Sequence, residues 1–492
     1  MVKSVVGEES QLKSLENRLF QSSVPSQVGI IIGKLSPNSD RGFVYDLIPT
    51  PLTDGGSPAC ALKSEPATRE EKKKGTRGGK SSNESPPSIE IDSDWVAEHA
   101  RQVSRMLMGG MHVIGVYLWA PESSFKATSP SIISQTVRAV ARAAPWYNDE
   151  IDERLLIHIS YSPSRWICRN VMVGSGNMRP CDFKMGKLLA SLQIYRCMYN
   201  FDIRLPVFKD GASDSGTFKN VLRCGIARHA KELESAKALV DGKLVAEDQH
   251  ITSEGTHNVE LLLPFVSDAY TGASSSNEVA GLVVFTGSIC ASAYLGPKES
   301  ASQAICDLKG DIVSSMRSRL DIICDDAEDK VTMASDHVGE STGDTLAGKA
   351  IHQLNLQELR KPYCLTFPRR VFVPWQSGIF ICDYLQPMET FEDLKDRCKE
   401  MMAMESPIEN SEILEPETEA PSIMAKSFWD IIHEDPTSAV IESKNTTKST
   451  ERDYGGKPKS SGFNLVTAIF ILVLALLLGY ATIDFKPVKP AH

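Results

Sequence analysis

Apolar and polar positions along most of this chain fall into two alternating registers. Period-two and short apolar runs predict strands, and runs with apolar residues three and four apart predict helices. Gly29–Gly33 and Gly42–Pro49 predict two adjacent strands around the Pro37–Asp40 turn. Trp95 to Met108 predicts a helix with Trp95, His99, Val103, Met106 and Leu107 near one face, capped by Asp94 and stopped by Gly109-Gly110. Val113–Trp119 predicts a buried strand, Ile132–Ala144 a helix, Leu155–Tyr161 and Arg165–Val173 strands, and Leu189–Val207 a strand-rich segment. The order is β–β–α–β–α–β–β. A second series follows: a helix from Phe218 to Lys237, strands at Val259–Phe265 and Val279–Leu295, and a long helix from Glu299 to Cys324. A hairpin over Arg370–Trp375 and Gly378–Tyr384 and a helix over Thr390–Met402 complete it.

Three stretches break the pattern. Leu52 to Asp92 has almost no large apolar residue and carries the run Glu70–Lys80, so it reads as a disordered insertion. Met401 to Gly456 holds twelve acidic and four basic residues and reads as a flexible acidic tether. Its aromatic–aliphatic island offers Phe428, Trp429 and Ile432 as candidate partner-binding residues. Phe463 to Ile483 is uncharged throughout, and a helix needs ~20 apolar residues to cross a bilayer. The N-terminus lacks an apolar signal segment, so a tail-anchored protein is expected, facing the cytosol. The fold class is therefore α/β (α+β). The expected layout is a first domain over 1–210 with the insertion, a second, smaller α/β domain over 211–400, a linker over 401–462, a transmembrane helix over 463–483 and a short tail over 484–492.

Composition narrows the function. Hydrophobic content is 41% and charged content 24%, ordinary for a globular chain. The formal charge of −10 and pI near 5.6 argue against nucleic acid as a partner. The tether carries most of that negative charge. Eleven scattered cysteines without a CxxC pair point to reduced thiols.

Little catalytic chemistry is legible. No P-loop occurs, and Gly29-x-x-x-Gly33 lacks dinucleotide-fingerprint spacing. His99, His112, His229 and His433 have no partners at metal-ligand spacing, and His250 and His257 lie in a polar stretch. A cysteine hydrolase or isopeptidase using Cys168 with His158 is the enzymatic alternative; a structural thiol is the other reading of Cys168.

The β–β–α–β–α start resembles the MPN domain, the scaffold of JAMM-type zinc isopeptidases. That family places a Glu three residues before the first strand Gly, then Gly-x-x-His-x-His-Pro, then Ser-x-x-Asp. Gly29 and Gly115–Pro121 match in outline, but the Glu position is Ser26 and the two histidine positions are Leu118 and Ala120. The Ser-x-x-Asp positions fall on Thr128 and Ser131. The resemblance implies a pseudoenzyme with no catalytic, cofactor-binding or metal residues.

A longer resemblance covers most of the chain. Asp94–Leu107 with Gly109-Gly110, Arg370–Pro374 and Cys382–Tyr384 resemble the signature of the odorant-response-abnormal protein 4 family. The departures are the insertion and Trp166–Arg169. The resemblance implies a non-enzymatic adaptor of the endoplasmic-reticulum membrane without cofactors. Its implied partners are the protease specific for ubiquitin-fold modifier and multi-span (seven-helix) receptors whose trafficking it assists, with membrane lipid contacted through 463–483. A chaperone acting through the span itself is a further alternative.

Overall fold

The computed structural model describes residues 2–35, 40–63, 86–146, 152–208, 218–245, 255–264, 279–336, 362–376, 378–405, 407–427 and 430–431. These lie in one compact unit, Met1–His433. Its first half runs β1 (Ser4–Glu8), α1 (Glu9–Ser22), β2 (Gln27–Lys34), β3 (Arg41–Pro49), β4 (Cys60–Lys63), β5 (Ser88–Ile91), α2 (Ser93–Met106) and β6 (His112–Trp119). It continues with α3 (Glu122–Ala127), α4 (Pro130–Ala143), β7 (Glu153–Tyr161), β8 (Ser164–Met172) and β9 (Met178–Gly186). Seven of these strands close into a barrel in the order β1-β3-β2-β6-β7-β8-β9, with β9 pairing back onto β1.

Side-chain alternation sorts the barrel into two cores. Ile31, Leu155, Ile157, Ile159 and Cys168 point inward. They pack on Leu12, Leu15 and Leu19, one face of α1, so that helix plugs the barrel. Ile30, Ile32, Val116, Leu118 and Leu156 point outward onto α2 and α4. In α2 the buried set is Val96, His99, Ala100, Val103 and Met106; the expected face holds at His99, Val103 and Met106, while Trp95 is half-buried and Leu107 follows the helix. The cap differs from expectation. Asp92, not Asp94, accepts from the Trp95 amide at 3.0 Å, because the helix starts at Ser93 and leaves Asp94 in the first turn.

The second half runs β10 (Gln193–Phe208), α5 (Phe218–Glu234), β11 (Lys237–Val240), β12 (Lys243–Leu244), β13 (Thr256–Leu262), β14 (Val279–Leu295) and α6 (Ala301–Asp336). It ends with β15 (Tyr363–Thr366), β16 (Arg369–Gln376), β17 (Ile379–Leu385), α7 (Phe391–Met402) and β18 (Ser422–Ser427). A seven-stranded sheet has the order β12-β11-β13-β10-β14-β18-β15, and α5 and α6 bury its inner face. β10, grouped by sequence with the first domain, pairs along its length with β14 in this second sheet. The β16–β17 hairpin packs with α2 and α7 in the outer barrel core.

Two expectations of disorder are corrected. The ends of the Leu52–Asp92 insertion form the β4–β5 hairpin, with Cys60 and Ile89 buried. Its polar middle, 64–85, lies outside the described residues. The first part of the expected tether is folded as well. β18 inserts between β14 and β15, and Ile408, Ile413, Ile423 and Ala425 are buried. Its acids act as counterions: Glu405 faces Arg18 and Glu417 faces Arg319. Spaced apolar anchors among acids look polar in composition yet suffice once a sheet offers an edge.

Asp46 in β3 is buried without a cation at bonding distance among the described residues. It accepts from the Leu47 amide at 2.7 Å and the Gln376 amide at 2.5 Å. Burial pushes its pKa up to about 6. A carboxyl whose folded pKa exceeds its unfolded value stabilises the fold below the unfolded value, near 4, and loses that contribution as pH rises through 6. Asp46→Asn is therefore expected to raise stability at pH 7 by roughly 2–3 kcal/mol and to change little at pH 4. Gln376 can rotate its amide, whose oxygen is unpartnered, to accept the new N–H. Thermal melts of both proteins across this pH range measure it; a pH-independent gap contradicts it.

Candidate functional site

Of the positions that would carry metal chemistry in an MPN-like scaffold, Ser26, Leu118 and Ala120 meet on the barrel's outer face. Pairing of β2, β6 and β7 sets Val28, Leu118 and His158 in one row. Ser26, Ala120 and Ser160 extend the same face one step further. Leu118 and Ala120 are fully buried. The His158 Nε2 lies 3.0 Å from the Ala120 carbonyl oxygen and donates to it. Its ring stacks on Phe125 at 4.0 Å, and burial lowers its pKa to about 4, so it is a neutral packing residue. The β4–β5 hairpin roofs the row. Cys60 sits beside Ser26, with its thiol pushed up to about 11 by burial. Thr128 Oγ1 accepts from the Ile89 amide at 2.8 Å and donates to the Ser124 carbonyl at 2.7 Å, tying the roof down. Ser131 stands apart, in the first turn of α4 against Ser129. Among the described residues no group of three His, Cys, Asp or Glu is arranged to hold a metal ion.

The Cys168–His158 pairing of the enzymatic alternative is not assembled. Cys168 lies opposite Ile157, so it shares the inner face while His158 faces out. The remaining candidates, Phe428, Trp429 and Ile432, lie outside the described residues, as does Phe463–Ile483. Among the described residues no helix is long and apolar enough to cross a membrane.

The three signature segments, far apart in sequence, converge on a joint between barrel and sheet. From α2, His99 Nε2 reaches the Met401 carbonyl at 2.9 Å, and Arg101 and Arg105 both bind Asp325 on α6. From the hairpin, Arg370 makes two bonds to Asp311 at 2.8 and 2.9 Å and one to the Cys290 carbonyl at 3.1 Å. The Cys382 thiol donates to the Arg105 carbonyl at 3.4 Å. Behind them Arg319 and Glu417, both fully buried, pair at 2.5 Å. Gly109 and Gly110 have φ of +45° and +86°, and the Tyr294 amide of β14 donates to Gly109 at 3.2 Å. A cleft of about 570 Å³ opens beside this joint, lined by Arg105, Gly110, Arg142, Trp146, Asp307 and Arg317 among others.

Sequence reasoning found Arg370 but missed its partners. The available signal was on α6, where Asp311, Ser315 and Arg319 recur every fourth residue along a helix face that is otherwise apolar. Charged groups on a buried stripe imply buried counterions elsewhere.

Comparison with known proteins follows the same elements. The family model described as odorant response abnormal 4-like matches residues 29–413. Protein odr-4 homolog of Mus musculus is 26% identical over 348 residues, 66% of this chain and 71% of its own. That of Dictyostelium discoideum is 23% identical over 413 residues, 81% of this chain and 80% of its own. The crystal structure of UfSP from C. elegans overlaps 83% of this chain and 58% of that one at 7% identity, with a TM-score of 0.36, too slight a likeness to assign a fold. The family match begins in β2, spans barrel, sheet and joint, and ends at Ile413: this chain belongs to the odorant response abnormal 4-like family.

Proposed function

We propose that this protein is a non-enzymatic adaptor of the endoplasmic-reticulum membrane that recruits a cytosolic protein. The observation that carries the reading is the filled row of Leu118, Ala120 and His158 beneath the β4–β5 roof, where an MPN-like scaffold would need a zinc ligand set and an open position for water. The uncharged run Phe463–Ile483 supplies a single membrane span. Eleven cysteines, none of them in a disulfide, suit a head kept in a reducing compartment. The partner implied by family is the protease specific for ubiquitin-fold modifier; membrane receptors in transit are the second class of client.

The test uses the tagged full chain. It is expected to stay with membranes through an alkaline wash, to carry that protease with it on purification, and to contain no stoichiometric zinc. Deleting 463–483 is expected to release the protein while leaving protease binding intact. Stoichiometric zinc with isopeptidase turnover, or a full chain that never retains the protease, overturns the reading. Protease binding lost together with the span transfers the role to the membrane segment.

A further inference from the structure

β8 and β9 lie next to the seam where β9 closes the barrel onto β1, and Cys168 stands directly opposite Cys181 in their antiparallel register. Opposed residues on antiparallel strands project to the same face, with Cα atoms ~4.5 or ~5.5 Å apart according to pair type. Both spacings lie inside the ~4.4–6.8 Å that a disulfide spans. The neighbouring pair, Trp166 and Phe183, confirms the shared face by stacking at 5.6 Å and 2°. The Cys181 thiol lies 4.0 Å from the Val2 carbonyl and 3.9 Å from the Asp182 carbonyl.

The two sulfurs are unequal. Cys168 is buried in the barrel core, whereas Cys181 is half-exposed. Interaction between the two neighbouring thiols lowers the Cys181 pKa and raises that of Cys168. An accessible nucleophile thus sits against a buried resolving thiol. A second neighbouring pair lacks this geometry. Cys197 and Cys290 lie on adjacent strands, but Cys197 opposes Ala291 and Cys290 opposes Met198, so they leave the sheet on opposite faces.

We propose that Cys168 and Cys181 form a modification site, a cross-strand dithiol that a low-molecular-weight disulfide such as oxidised glutathione converts to a disulfide. The Cys181 thiolate attacks one glutathione sulfur, forming a mixed disulfide and expelling glutathione thiolate, which takes up a proton. Cys168 then loses its proton and attacks the Cys181 sulfur, expelling the second glutathione. Two protein thiols are oxidised to one disulfide while one glutathione disulfide is reduced to two thiols. The product staples the strand that closes the barrel: β9 also carries β1, and the β8 residue Asn170 donates to the Val2 carbonyl at 3.2 Å.

The experiment treats the full chain with oxidised glutathione, alkylates free thiols with iodoacetamide, and maps peptides without reduction. A Cys168–Cys181 crosslink is expected in the wild type. Cys168→Ser is expected to stop at glutathione on Cys181, and Cys181→Ser to leave Cys168 alkylated. Both wild-type thiols recovered alkylated, a wild type that stops at the mixed disulfide, or a crosslink of either thiol to another cysteine would each overturn the proposal. Because the decisive readout is on the wild type, a folding defect in either variant does not obscure it.

Discussion

Glu417→Ala is expected to cost the folded unit about 3–5 kcal/mol, the loss typical when one partner of a buried ion pair is removed. Glu417 accepts two bonds from Arg319, at 2.5 and 2.7 Å, and also the amides of Arg370 at 3.1 Å and Cys290 at 3.4 Å. Arg319 is 0% exposed, so without Glu417 its guanidinium keeps the Pro368 carbonyl, the Ser315 hydroxyl and the face of the Tyr384 ring, and no anion at bonding distance among the described residues. The paired substitution Arg319→Met with Glu417→Leu is expected to recover part of the loss, because an apolar pair avoids desolvating two charges. Recovery stays incomplete, since two buried amides have lost their acceptor at ~1–3 kcal/mol each. Glu405→Ala supplies the contrast. Its pair with Arg18 leaves Glu405 74% exposed, and the expected effect is ~0–1 kcal/mol. Chemical denaturation of the four proteins decides the matter. Similar losses at 405 and 417 would mean that the acidic stretch is a tether after all and that β18 does not lock the sheet.

That contrast shows which parts of this fold were legible in sequence. β14 was read to its residue limits and α2 nearly so, because each buries a full face and the pattern repeats over many residues. β9 was missed: Met178–Gly186 is mostly half-exposed, and its role is to supply backbone to two neighbours. β18 was missed for a different reason. Its six residues sit among acids whose counterions, Arg319 and Arg18, come from elements remote in sequence. The blank ligand positions Ser26, Leu118 and Ala120 were legible as residue types, but the roof over them was not. Cys60 and Ile89 flank a polar insertion that dilutes the apolar signal. Local periodicity reports what a segment buries against itself and its neighbours. Charge pairing and sheet closure are set by remote segments, and a single sequence carries no direct record of them.

Gly110→Ala is expected to destabilise the same unit by roughly 3 kcal/mol, through two separable causes. The first is backbone: φ is +86°, a region that costs a residue with a Cβ ~1–2 kcal/mol. The second is contact. A Cβ there would lie 2.3 Å from an Asp307 carboxylate oxygen, the atom that binds Lys34 Nζ at 2.7 Å. Lys34 is buried, with Glu299 its other anion, so displacing Asp307 half-strips a charge already removed from water. Gly56→Ala separates the causes, because φ is +74° there but nothing lies within reach of the new atom. It should show the backbone cost alone. In an Asp307→Ala background the Gly110→Ala penalty should shrink to that same value, a coupling that a double-mutant cycle reads directly. The outcome bears on the family signature as a whole. If Gly110→Ala lowers partner binding only in proportion to the folded fraction, the signature is a joint that orients barrel and sheet. If binding falls while the fold is intact, the joint and its cleft are themselves the docking surface.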